Sequence, residues 1–141
     1  MQQGFNPKEL HFSDEGRNKL IQGIKQIANA VKSTLGPRGN TVLIESPEHL
    51  HGITVTKDGV TVAKSISLLD PVENLAVRMM KEAADRTASS AGDGTTTAIV
   101  LAEALVNAGT ELITDKVNRT EVLRHLVDIT KLISKDLKVK K

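Results

Sequence analysis

The chain has 141 residues and a formal net charge of +2; hydrophobic residues make up 39% of it, charged residues 26% and aromatic residues only 1%. That balance describes one soluble globular domain with an aliphatic core, and the charge is too small to argue for nucleic acid as a partner. The lack of cysteine excludes a disulfide framework, a thiolate nucleophile and a cysteine metal site, and the lack of a long apolar run argues against a membrane span or leader, so a cytoplasmic protein is expected.

The opening MQQGFNPKEL is polar, contains Gly4 and Pro7, and reads as a loose arm. Ser13-Asp14-Glu15 then offers a hydroxyl cap and acids for the first turn of a helix. Its apolar stripe is Leu20, Ile21, Ile24, Ile27, Ala28, Val31 and Leu35, and Gly36-Pro37 stops it. The period then changes. Residues 40–45 and 52–56 are short, rich in β-branched side chains and separated by a polar turn containing Pro47, which predicts a β-hairpin. Residues 59–64 form a further short element, read as helix. Asp70-Pro71 with Glu73 marks a helix start, with an acidic cap and proline at the first position. Val72, Leu75, Ala76, Met79, Met80, Ala83 and Ala84 are expected on its buried face, opposite Arg78, Lys81, Glu82 and Asp85. Residues 98–106 are apolar almost all round, a helix that calls for burial on every side. Asn118 with Glu121 starts a last helix whose stripe is Val122, Leu126, Ile129, Ile133 and Leu137. No repeat or low-complexity segment occurs.

Three segments carry polar chemistry. AGDGTTTA, residues 91–98, joins two helices with more than a turn requires. Thr95, Thr96 and Thr97 stand at a helix N-terminus, where free N–H groups and the positive dipole end attract anions. Gly92 and Gly94 permit close backbone approach. Asp93 has the wrong charge for phosphate unless a cation lies between, and a carboxylate beside phosphates is a ligand type that Mg²⁺ accepts. On this segment alone, a capped turn between helices is an equally good reading. Thr34-Leu35-Gly36-Pro37-Arg38-Gly39 taken alone reads as a helix stop and turn. Thr56-Lys57-Asp58-Gly59 taken alone reads as an Asp-Gly turn after a strand. No GxxxxGK[ST] loop is present. His49 and His51 share one face of a strand but lack a third ligand, so solvated histidines are the better reading. Met79 and Met80 read as core packing, and the closing LKVKK as a solvated end.

In this order, TLGPRG, TKDGVTVAK and AGDGTTTA resemble the N-terminal half of the equatorial domain of GroEL-like (group I) chaperonins, from about Leu10 to the C-terminus. The resemblance implies a mainly α fold, an equatorial-domain-like helical bundle with one β-hairpin, incomplete relative to the family. It implies one segment, residues 1–141, of an ATP-dependent protein-folding chaperone. Thr34, Leu35, Gly36 and Pro37 would pack around ATP, with Lys57 nearby. Asp93 would be the Mg²⁺ ligand, while Gly94, Thr95, Thr96 and Thr97 hold phosphates. Asp58 would orient the attacking water. In the family the chain continues into intermediate and apical domains and returns with an aspartate required for hydrolysis. The sequence given stops at Lys141, so little independent turnover is expected, and the apolar helix after Thr97 loses cover. Unfolded polypeptide and co-chaperonin are partners only of a full-length subunit.

Departures from the family pattern are Arg38, where lysine is also common, a slightly longer hairpin, and Asp115-Lys116-Val117-Asn118 in place of a glycine-containing turn. A different class of function stays open beside the first: a non-catalytic assembly module. Residues 40–56 and the stretch Leu10-His11-Phe12 would then contact other chaperonin subunits, either copies of this chain or a complementing second half.

Overall fold

The computed structural model describes residue 10 and residues 13–46, 52–114 and 116–139. Residues 1–9 of the expected N-terminal arm, His11 and Phe12, the turn with Pro47, His49 and His51, Asp115 and the last two lysines lie outside the described residues. The elements in order are α1 (Ser13–Lys32), β1 (Val42–Ser46), β2 (Gly52–Thr56), α2 (Gly59–Ser65), α3 (Pro71–Ala91), α4 (Thr95–Leu112) and α5 (Arg119–Val139). The chain divides into two compact units, with the boundary between Val106 and Asn107. No described helix is long and apolar enough to cross a membrane.

In the first unit, α1 carries Asp14 and Glu15 in its first turn, where carboxylates oppose the dipole. It ends at Lys32, one turn earlier than the apolar stripe predicts. The Thr34 and Leu35 amides bond to the Val31 and Lys32 carbonyls, each at 3.1 Å, so the last turn tightens. The Ser33 and Thr34 hydroxyls donate to the Ala30 and Val31 carbonyls at 2.6 and 2.8 Å. Gly36 then takes φ +79°, and Leu35 is left 48% exposed rather than in the core.

The core is aliphatic, as the composition requires. Ile27, Ala28 and Val31 from α1 meet Val62 and Ala63 from α2, Val77, Met80 and Ala84 from α3 and Ile99 from α4. Fully burying each of the four largest of these, Ile27, Val31, Val77 and Ile99, contributes about 1.5–3 kcal/mol. Without large rings, the helices must come close. At buried Gly23 a Cβ would lie 2.9 Å from the Glu73 carbonyl carbon, so α1 crosses the start of α3 at backbone contact. The Lys19 ammonium and the Asp70 carboxylate, 2.8 Å apart, and the Gln26 amide donating to Glu73 at 2.7 Å, fasten the same crossing.

Asp70 caps α3 as expected, its Oδ1 accepting from the Val72 and Glu73 amides at 2.8 and 3.0 Å, and Pro71 occupies the first turn. The buried face differs from the expected one. It is Ala76, Val77, Met80 and Ala84, whereas Leu75 and Met79 are 51% and 62% exposed and Ala83 is exposed as well. The close crossing with α1 selects the small and β-branched side of the helix and turns the longer side chains outward. Lys81, expected on the solvent side, reaches back to donate to the Lys64 and Ile66 carbonyls at 2.8 and 2.6 Å, closing the C-terminal end of α2. Burial pushes its ammonium pKa down, with Asp85 partly opposing.

The hairpin is antiparallel, with Leu43 opposite Val55 and Glu45 opposite Ile53. Val42 and Ile44 pack against the core, so the alternate positions Leu43, Ile53 and Val55 stand out, each more than 60% exposed. Helix α4 inverts the usual arrangement. Glu103, the one charge in the apolar run, is 7% exposed and pairs at 2.7 Å with Lys32 from the last turn of α1, while Leu101 and Leu105 point outward. In the second unit, Asn118 Oδ1 accepts from the Thr120 and Glu121 amides and caps α5 as expected. No residue of α5 is buried.

Lys32→Met should cost about 1–3 kcal/mol, because it strands the Glu103 carboxylate. Lys32→Met/Glu103→Leu should regain most of that, as measured by denaturant unfolding followed by far-UV circular dichroism. The Asp70 carboxyl is held at about 2, first by its bond to Lys19 and then by the Glu73 amide, below the ordinary value of about 3.9. Its stabilising contribution is therefore complete above about pH 4 and lost as the pH falls towards 2. Asp70→Asn should be less stable at neutral pH and should flatten stability against pH across that window.

Candidate functional site

The three polar segments meet at the N-termini of α2 and α4. Gly59, the first residue of α2, is buried, and a Cβ built on it would run into the Thr96 hydroxyl oxygen. The same point is 3.0 Å from the Thr34 hydroxyl and 3.4 Å from the Thr96 Cβ. Residues from all three segments thus converge on one spot, although they are far apart in the sequence. Gly59 itself did not stand out in the sequence, where Asp-Gly reads as turn chemistry. The usable signal was that this glycine opens a helix rather than closing a turn.

Asp58 is committed locally. Its carboxylate caps α2, Oδ1 accepting from the Val60 amide at 3.2 Å and Oδ2 from the Thr61 amide at 2.9 Å and the Thr61 hydroxyl at 2.6 Å. The hydroxyl bond leads in holding its pKa below the usual value, followed by the Thr61 amide. The group is exposed and ionised at neutral pH, a state suited to orienting a water. Lys57 lies exposed between β2 and α2. The Thr34 hydroxyl spends its only proton on Val31, which leaves it an acceptor towards anything bound beside it.

Within AGDGTTTA, Gly92 lies in the left-handed region at φ +77°, where its amide closes α3 on the Ala88 carbonyl at 2.7 Å. Gly94 also has positive φ, +90°. The exposed Asp93 accepts from the Gly94 amide through Oδ1 at 2.6 Å. Helix α4 starts at Thr95, with the Ala98 amide bonded to the Gly94 carbonyl at 2.8 Å. A glycine at the cap position has no side chain to satisfy the Thr95, Thr96 and Thr97 amides, whereas Asp58, Asp70 and Asn118 cap α2, α3 and α5. Thr95 is 4% exposed, and its hydroxyl has no hydrogen-bond partner among the described residues. Open amides and a buried hydroxyl lacking a partner suit a phosphate. No group of three or more His, Cys, Asp or Glu that could hold a metal occurs among the described residues. A lone exposed carboxylate such as Asp93 is a ligand type that Mg²⁺ accepts beside phosphate oxygens. Leu35, Gly36 and Pro37 are exposed in the turn following α1. Of the expected residues, the structure brings Thr34 and Thr96 into direct contact with the Gly59 position.

The sequence model of the TCP-1/cpn60 chaperonin family matches residues 27–140. This chain belongs to that family. Chaperonin GroEL of Mycoplasma genitalium is 45% identical over 130 residues, which are 92% of this chain and 24% of that protein. Among solved structures, the chaperonin gp146 of bacteriophage EL of Pseudomonas aeruginosa, crystallised in the presence of ATP-BeFx, is 32% identical with a TM-score of 0.68. That match covers 86% of this chain and 20% of the phage chaperonin. A second crystal form gives 35% identity and a TM-score of 0.65 over 72% of this chain and 18% of its own. The chain thus spans about a quarter of its curated chaperonin relative. The fold class expected from the sequence, mainly helical with one hairpin and like a chaperonin equatorial domain, is the one found.

Thr61→Val should raise the Asp58 carboxyl pKa towards the ordinary aspartate range, and Thr61→Ser should keep it low. A pH titration of the Asp58 carboxyl carbon by NMR checks this.

Proposed function

We propose that the chain supplies part of the ATP-Mg²⁺ site of a chaperonin, a protein-folding chaperone acting in the cytoplasm. The observation that carries this reading is the uncapped start of α4, beside a buried hydroxyl and the Thr34–Gly59–Thr96 contact. The Thr95, Thr96 and Thr97 amides and the Thr96 hydroxyl would hold phosphate oxygens, with Gly94 allowing close approach. Asp93 would hold Mg²⁺, and Lys57 would add positive charge. Thr34, Leu35, Gly36 and Pro37 would line the nucleotide from the α1 side. Bound Mg²⁺ would neutralise the charge that develops on phosphate oxygens during phosphoryl transfer. Asp58, ionised and fixed by Thr61, would orient water.

The crystallisation of the phage relative with ATP-BeFx supports the nucleotide reading. The 141 residues by themselves are expected to bind nucleotide weakly and to turn it over little, because the family resemblance assigns a required aspartate to the returning half of the domain. Unfolded polypeptide and a co-chaperonin would be partners of the full-length subunit.

A second reading, an assembly module joining chaperonin subunits without catalysis, is favoured by the hairpin. Leu43, Ile53 and Val55 form an exposed apolar face on a two-stranded sheet whose outer edges are unpaired among the described residues.

Native mass spectrometry with and without Mg-ATP separates the two readings. The first expects one nucleotide and Mg²⁺ per chain, with affinity reduced by about tenfold or more, a loss of about 1.4 kcal/mol, in Asp93→Ala. A defined oligomer that carries no nucleotide and is unchanged by Asp93→Ala would leave the assembly reading alone. Turnover at a chaperonin-like rate by the purified chain would overturn the expectation of an incomplete catalytic site.

A further inference from the structure

We propose that Gly59 is a positioning residue of the phosphate site: having no side chain, it sets how closely the N-terminus of α4 approaches α2 and so where the Thr96 hydroxyl stands. This deepens the nucleotide reading above and rests on it. Gly59 lies in the first turn of a helix and is not among the glycines with positive φ. Backbone freedom therefore does not explain a glycine here, in a position where alanine is the better helix former. Close approach does. The Cβ of an alanine would overlap the Thr96 hydroxyl oxygen and would crowd the Thr34 hydroxyl at 3.0 Å.

Neither neighbour can yield at no cost. Turning the Thr96 side chain to clear the methyl group would carry its hydroxyl away from the start of α4. The Thr34 hydroxyl is fixed by its bond to the Val31 carbonyl. Nor can α2 withdraw, because Val62 and Ala63, one turn further on, are 2% and 3% exposed within the core. The extra methyl group must therefore displace Thr96, the residue that stands among the open amides of α4.

The test compares Gly59→Ala in two backgrounds, the wild-type chain and Thr96→Ala, in which the oxygen that would be struck is gone. The readouts are Mg-ATP affinity by calorimetry and the methyl resonances of Thr34 and Thr96 by NMR, with far-UV circular dichroism to confirm folding. In the wild-type background, Gly59→Ala should weaken Mg-ATP by about tenfold and move both methyl resonances; in Thr96→Ala it should change affinity by less than about threefold. If Gly59→Ala fails to fold while Gly59→Ala/Thr96→Ala folds, the clash with Thr96 is likewise supported. Equal losses in the two backgrounds, failure of both variants to fold, or unshifted methyl resonances would overturn the proposal and leave the nucleotide reading standing. No Mg-ATP binding by the unsubstituted chain would overturn that reading and this proposal with it.

Discussion

Where α1 crosses the start of α3, two backbones touch at Gly23 with no side chain between them. The rest of the first unit depends on that approach. A core with no large rings has little bulk per residue, and helices at ordinary separation would leave voids between alanines and valines. Bringing α1 and α3 together at Gly23 lets Ile27, Ala28 and Val31 fill the space beside Val77, Met80 and Ala84. The Lys19–Asp70 and Gln26–Glu73 bonds then fix the crossing point along both helices. From that frame α1 delivers Thr34 just past its last turn, and α3 delivers Asp93 and Gly94 just past its own.

The helix ends show a division of labour. Helices α2, α3 and α5 begin with a side chain that satisfies their own amides, and α4 begins with a glycine that does not. A capped helix end has already met its need for negative charge, and an uncapped one keeps that need for a ligand. Asp58 shows how the two uses compete. Its carboxylate completes α2, and the same capping bonds hold its pKa below the usual value and fix its orientation.

Much of this was legible from local sequence. The caps at Asp70 and Asn118 and the two strands of the hairpin depend on residues close in the chain, and the order of the three motifs carried the family resemblance. What sequence could not supply was set by contacts across the chain. Helical period gives the existence of an apolar stripe on α3 but not its centre, and the Gly23 crossing shifted that centre from Leu75 and Met79 to Val77. Glu103 looked like an interruption in an apolar helix because its partner, Lys32, lies 71 positions away. Leu35 fitted the spacing of α1, yet the helix closed before reaching it. Gly59 was hidden by the familiarity of Asp-Gly as a turn, since the argument for glycine there comes from threonines in two other segments.

The pair formed by Lys32 and Glu103 has a further consequence. It joins the last turn of α1 to α4 a little beyond the segment carrying Thr96, and Val62, Ala63 and Ile99 join the same region to the core. The wall of the site made by the starts of α2 and α4 thus adjoins the core and unfolds with it. Occupancy and folding are then one linked equilibrium, in which any ligand held at the start of α4 raises the melting temperature of the whole first unit in proportion to the logarithm of its concentration. Heat would release ligand and structure together.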